Sequence, residues 1–74
     1  MKITEKYIAG FTTGKEALRK YECEIKDGEH KGKRYFKEIH TKRNKNGEWK
    51  NGKSYFYTDD SKIYENIEDL IKIL

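Results

Sequence analysis

The chain has no proline, a single cysteine, a single tryptophan and three arginines in 74 residues. A lone Cys23 cannot close an internal disulfide, so packing rather than crosslinking must hold the fold. No apolar run approaches the ~20 residues of a membrane helix. The first residues, Met1-Lys2-Ile3-Thr4-Glu5-Lys6, lack the apolar stretch of a secretory signal. These shortages lead to the expectation of a cytoplasmic protein with no membrane partner. Apolar residues are also scarce, at 34% against 41% charged, a balance that by itself tends toward disorder. Six Tyr, three Phe, one Trp and eight Ile work against it. The expectation is one domain, residues 1–74, with a thin core near the lower size limit for unaided stability.

Groups that carry chemistry are equally sparse. His30 falls in an expected turn and His40 on an expected strand, and neither stands at metal-ligand spacing with Cys23 or with the other. Cys23 has nothing basic beside it in sequence to lower its pKa, and it reads as a small core residue. Gly10-Phe11-Thr12-Thr13-Gly14-Lys15 has three residues between its glycines and Glu16 after the lysine. A phosphate loop needs four, then Ser or Thr. Asp59-Asp60 reads as a solvated turn. No nucleophile and base can be paired, so neither an enzyme nor a cofactor is expected.

Periodicity supplies the fold class. Tyr21, Cys23 and Ile25 alternate with Glu22, Glu24 and Lys26, the pattern of a half-buried strand. Lys2–Ala9, Arg34–Lys42 and Ser54–Thr58 read as further strands, the last two rich in aromatic and β-branched residues. Asp27-Gly28, Asn46-Gly47 and Asn51-Gly52 are turn dipeptides. Thr13–Lys20 is ambiguous. Thr13 and Glu16 have capping-box spacing, so a helical turn competes with a longer strand. At the C-terminus, Asn66 is a good N-cap, and Ile67, Leu70, Ile71 and Leu74 share one helical face. A helix this short exists only when packed on something. The expected class is α+β: an antiparallel sheet of about four strands, open or barrel-like, packed by a C-terminal helix whose Ile67, Leu70 and Ile71 meet Tyr21, Cys23 and Ile25.

Charge is unevenly placed. The net charge is +4, but residues 31–53 carry nine basic and two acidic side chains, and residues 54–74 carry two basic and five acidic. A local basic field draws polyanions even when the whole protein is only mildly basic. In 31–57 the cations Lys31, Lys33, Arg34, Lys37, Lys42, Arg43, Lys45, Lys50 and Lys53 interleave with Tyr35, Phe36, Trp49, Tyr55, Phe56 and Tyr57. Cations for phosphates and flat rings for bases are what single-stranded nucleic acid requires. Strand three places Tyr35, Lys37, Ile39 and Thr41 on one face and Phe36, Glu38, His40 and Lys42 on the other. Both faces of strands three and four therefore carry rings. Either the sheet is covered twice, or some rings are exposed, and Trp49, between two Asn-Gly turns, is the foremost candidate for exposure. The ordinary alternative is that the rings are core and the lysines keep an edge soluble.

The segment Glu22-Cys23-Glu24-Ile25-Lys26-Asp27-Gly28-Glu29-His30-Lys31-Gly32-Lys33-Arg34-Tyr35-Phe36 resembles a hairpin of phage-encoded single-stranded-DNA-binding proteins of OB-like fold: an acidic-Gly turn, a Lys-Gly-basic step, then an aromatic. The resemblance covers about a fifth of the chain. It implies a nucleic-acid partner and assigns no binding residue.

The leading expectation is a non-catalytic protein that contacts nucleic acid through Lys31, Lys33, Arg34, Lys37, Lys42, Arg43, Lys45, Trp49, Lys50, Lys53 and Tyr55. Two alternatives stay open. The first is an inhibitor from a phage or mobile element, of the anti-defence or anti-CRISPR kind, directed at a host protein with an acidic groove or at a nucleoprotein complex; the bias toward residues with A/T-rich codons fits such a source. The second is sequestration of a small nucleotide in a pocket, for which a homodimer interface is an open option.

Overall fold

Three long alternating segments and one short one pair in chain order. In the computed structural model, which describes residues 1–50 and 52–74, the strands are β1 (Ile3–Thr12), β2 (Glu16–Ile25), β3 (Arg34–Lys42) and β4 (Lys53–Tyr57), followed by helix α1 (Ile67–Ile71). The sheet is antiparallel with order β1-β2-β3-β4. β1 and β4 are its two edges, so of the two forms expected it takes the open one. Asn51 of the expected Asn51-Gly52 turn lies outside the described residues.

The ambiguous stretch Thr13–Lys20 is strand from Glu16 onward. Pairing decided it: Thr12 faces Ala17 and Ala17 faces Thr41, so a helix here would break both ladders. Thr13 still uses its hydroxyl, which accepts from the Lys15 and Glu16 amides at 3.1 and 3.0 Å and closes a turn instead of capping a helix. Gly28 and Gly47 hold φ of 77° and 81°, the left-handed region that turns demand and glycine tolerates.

Residues directly opposite each other across a ladder share a face. Cys23 faces Tyr35, Ile25 faces Ile3, and Lys37 faces both Tyr21 and Phe56. This is the side that α1 covers. Asn66 caps the helix, its Oδ1 accepting from the Glu68 amide at 2.9 Å. Leu70, Cys23 and Ile25 are fully buried and Tyr35 is nearly so, with Ile3, Tyr21, Phe56, Tyr64, Ile67, Ile71 and Leu74 packed around them. The expected core contact between helix and second strand is present. Tyr64 also bonds the outer edge of β4, exchanging both backbone hydrogen bonds with Phe56 at 2.7 and 2.8 Å.

This core occupies one end of the sheet. The described residues extend over 45 × 22 × 20 Å, and α1 is only five residues long. No helix among the described residues covers the far half of the helix-side face or the opposite face. Among the described residues no helix is long and apolar enough to cross a membrane.

Candidate functional site

The antiparallel order divides the charges between two ends. The β2–β3 connection and the turn after β4 lie at the helix end, with Asp59, Asp60, Glu68 and Asp69 as well as Lys31 and Lys33, while Glu65 reaches back along β4 to within 4.0 Å of the Lys53 ammonium. The β1–β2 turn and the β3–β4 hairpin lie together at the other end, where the Arg43 amide donates to the Lys15 carbonyl at 2.8 Å. That end carries Lys15, Lys42, Arg43, Lys45, Lys50 and Lys53 against Glu16 and Glu48. The basic stretch of the sequence is therefore divided in space. Lys31 and Lys33 sit in the connection at the helix end. Arg34 starts β3 and is paired with Glu24 at 3.3 Å and Glu22 at 3.7 Å. Arg34 and Lys42 are separated by the length of β3, roughly 27 Å at ~3.4 Å per residue. Lys37 points to the helix side and binds Glu5 at 2.9 Å.

At the basic end, strand alternation divides the remaining candidates again. The hairpin continues past β3: the Lys50 amide donates to the Lys42 carbonyl at 2.8 Å, Arg43 pairs with Trp49, and the Asn44 amide donates to the Glu48 carbonyl at 2.8 Å. Asn44 fixes the tip, its Oδ1 accepting from the Asn46 and Glu48 amides, each at 2.9 Å. Lys45 lies in that tip. Lys42 and Lys50 turn to the helix-free face and Arg43 and Trp49 to the other.

On the helix-free face, Lys42, Lys50, Lys53 and Tyr55 surround a cleft of about 530 Å³ together with His40 and Glu16. The His40 and Tyr55 rings meet edge to face at 4.7 Å. The register explains the gathering, since Lys53 faces His40 and Glu16 faces Lys42.

Next to the cleft the same face carries a hydrogen-bonded network. The Tyr57 hydroxyl donates to Glu38, and His40 Nε2 stands 3.2 Å from the other Glu38 oxygen. These contacts, Tyr57 first, hold the Glu38 carboxyl below the usual carboxylate range. Burial and then Glu38 push the Tyr57 hydroxyl up. The Lys20 ammonium lies 4.5 Å from the Phe36 ring centroid and 5.5 Å from that of Tyr57, and its contact with the Tyr57 oxygen raises its pKa. Lys20 thus lies over both Phe36 and Tyr57, outside the residues that line the cleft. The Tyr55–His40 pair faces the cleft.

The sequence points to Lys42, Lys50, Lys53 and Tyr55 as binding residues, whereas His40 enters it only as a strand residue without metal-ligand spacing. The signal for it was available: a period of two along β3 puts His40 and Lys42 on one side. Lys20 and Glu38 could not be found that way, because their engagement depends on which strands are neighbours.

On the helix-side face, beyond the reach of α1, Trp49 is 41% exposed. The Arg43 guanidinium lies over its ring at 4.4 Å. Trp49 forms one wall of a trough of about 310 Å³ with Thr12, Ala17, Arg19, Ile39 and Thr41. Trp49 and the three cleft lysines accordingly occupy opposite sides of one hairpin.

Comparison of the chain with protein-family models, with curated proteins and with solved structures found no match.

Proposed function

We propose that the protein binds single-stranded nucleic acid at its basic end, with phosphates against Lys42, Lys50 and Lys53 and a base against the Tyr55–His40 pair. The observation that carries this reading is the convergence of three lysines and two rings, drawn from β3, the hairpin arm and β4, on one cleft of the helix-free face. Ammonium groups replace the counterions of a phosphate backbone, and a tyrosine ring stacks on any base. The cleft also holds Glu16, which favours contact by a spaced, flexible backbone over a dense duplex surface.

The test is fluorescence anisotropy with a labelled oligonucleotide over a series of salt concentrations. Single-stranded binding loses ~0.7 in log–log slope per phosphate released from contact. The triple change Lys42→Ala, Lys50→Ala, Lys53→Ala should reduce the slope by about 2. Absence of binding at low salt, or an unchanged slope in the triple variant, refutes the reading.

A further inference from the structure

We infer that the trough on the helix-side face is a second subsite, which takes one unpaired nucleobase of the same strand by stacking on Trp49; this rests on the reading of the basic end as a nucleic-acid site. The trough exists because two things coincide. Helix α1 ends its cover at the row of Tyr21, Lys37 and Phe56, and Ile39 one row further lies outside the core cluster. The residues that floor the trough are small or flat: Ala17, Thr41 and Thr12 form one cross-strand row. A Cβ at Gly52 would stand 2.8 Å from Ile39 Cγ2 and 3.0 Å from Thr41 Oγ1, so backbone there presses directly on the floor.

Trp49 is held in place without being buried. Its backbone is bridged to Arg43, and the Arg43 guanidinium covers the ring at 4.4 Å. Fixing the indole in advance removes the ordering cost that a free side chain would meet on stacking. Arg19 also lines the trough and is an exposed cation able to meet the phosphate of a stacked nucleotide. The Thr12 and Thr41 hydroxyls can donate to or accept from the edge of any base. A flat ring with an attached anion therefore matches both the shape and the charge of the trough.

The trough and the cleft lie on opposite faces of the same hairpin arm. Lys42 and Lys50 are the rungs next to Arg43 and Trp49 in the same hairpin. A strand that crosses the hairpin arm meets the lysines on one side and Trp49 on the other. The two sides differ in what they recognise: the lysine side takes phosphate, and the tryptophan side takes a base.

The experiment compares two labelled probes of equal length at low salt, an oligothymidylate and the same sugar–phosphate chain without bases. The native protein should bind the base-bearing probe more tightly. Trp49→Ala should weaken that probe by roughly tenfold, the scale of one stacked base, and leave the abasic probe unchanged. Trp49→Phe should recover part of the loss. Ala17→Val fills the trough, suits a strand and leaves Trp49 in place, and it should mimic Trp49→Ala. Equal losses on both probes, or no loss on either, overturn the subsite while binding through the lysines stands. If the native protein binds neither probe, the reading of the basic end falls and the subsite falls with it.

Discussion

The Lys50 amide donates to the Lys42 carbonyl at 2.8 Å, and this bond sets both lysine side chains over one cleft. Like charges opposite each other across a ladder are unfavourable; Glu16 faces Lys42 from β2, but among the described residues neither lysine forms an ion pair, and Lys50 has no acidic residue opposite it. A pairing that costs stability in the free protein is what a polyanion would relieve. Lys50→Gln should therefore weaken oligonucleotide binding while leaving the melting temperature unchanged or slightly higher at low salt. Parallel loss of binding and of melting temperature would show that Lys50 supports the fold instead.

The core makes a different demand at high pH. Burial, and then the Glu5 carboxylate, push the Cys23 thiol up, and burial pushes the Tyr35 hydroxyl up in the same direction. In the unfolded chain a cysteine ionises near ~8.5 and a tyrosine near ~10. Above the first value the unfolded state sheds a proton that the folded state keeps. The stability contributed by the neutral thiol is thus complete below ~8.5 and is lost as pH rises toward the folded value. Melting followed by circular dichroism should fall from pH ~8.5 upward, and Cys23→Ala should flatten the early part of that fall. In the native state Cys23 should resist a thiol reagent that modifies it at once in urea.

Much of this fold is written in alternation. β3 begins and ends at the residues that its pattern names, Asn66 caps the helix that its face implies, and Cys23 lies where a period of two puts it. The stretch from Glu16 to Lys20 was not legible, because Thr13 and Glu16 suit a helix start and only partners on β1 and β3 settle the matter. The site was half legible for the same kind of reason. Composition located the cations, and period two put Lys42 on the side of His40; the side of Trp49 follows only from its bridge to Arg43. A strand over Arg34–Lys42 already sets those two residues roughly 27 Å apart, but that Arg34 is taken up by Glu22 and Glu24 depends on its pairing with β2, which no count of charges along 31–53 shows.

Two glycines in the first hairpin should respond oppositely to alanine. A Cβ at Gly10 would lie 2.5 Å from the Leu18 carbonyl oxygen and 2.7 Å from the Tyr7 hydroxyl. The hydroxyl can swing away, but the carbonyl is backbone within the ladder. Gly10→Ala should cost about 1–3 kcal/mol, as overpacking does. Gly14 has nothing within 4 Å of such a Cβ and no positive φ. Gly14→Ala should be neutral or gain up to about 1 kcal/mol through the unfolded state. Urea denaturation of the two variants separates these outcomes.

Leu70 is the one fully buried residue that α1 contributes. Leu70→Ala should cost about 2–5 kcal/mol, the range for emptying such a site. In a domain with so thin a core that is a large share of the whole, and α1 has too few residues to persist undocked. The measurable result is a collapse of the urea midpoint. Tyr21 should become more exposed to a quencher before the β1–β2 pairing is lost. A variant that keeps a native midpoint would show that α1 is not what closes the core.

Glu38 should set the acid side of the stability profile. The Tyr57 hydroxyl, and after it His40, hold its carboxyl below the usual range. An unfolded glutamate takes up its proton near ~4.3, before the folded one does. The contribution of the charged network is present above that value and is lost as pH falls through the lower folded value. Glu38→Gln keeps the shape of the side chain and removes this dependence. Its urea midpoint should lie below that of the native protein at neutral pH, and the two should converge as the pH drops below ~4. Midpoints that stay a constant distance apart from pH 7 to pH 3 would mean that the network does not depend on the charge of Glu38. The same substitution should leave the abasic-probe affinity at neutral pH unchanged or stronger, since it removes one negative charge beside the lysine cleft.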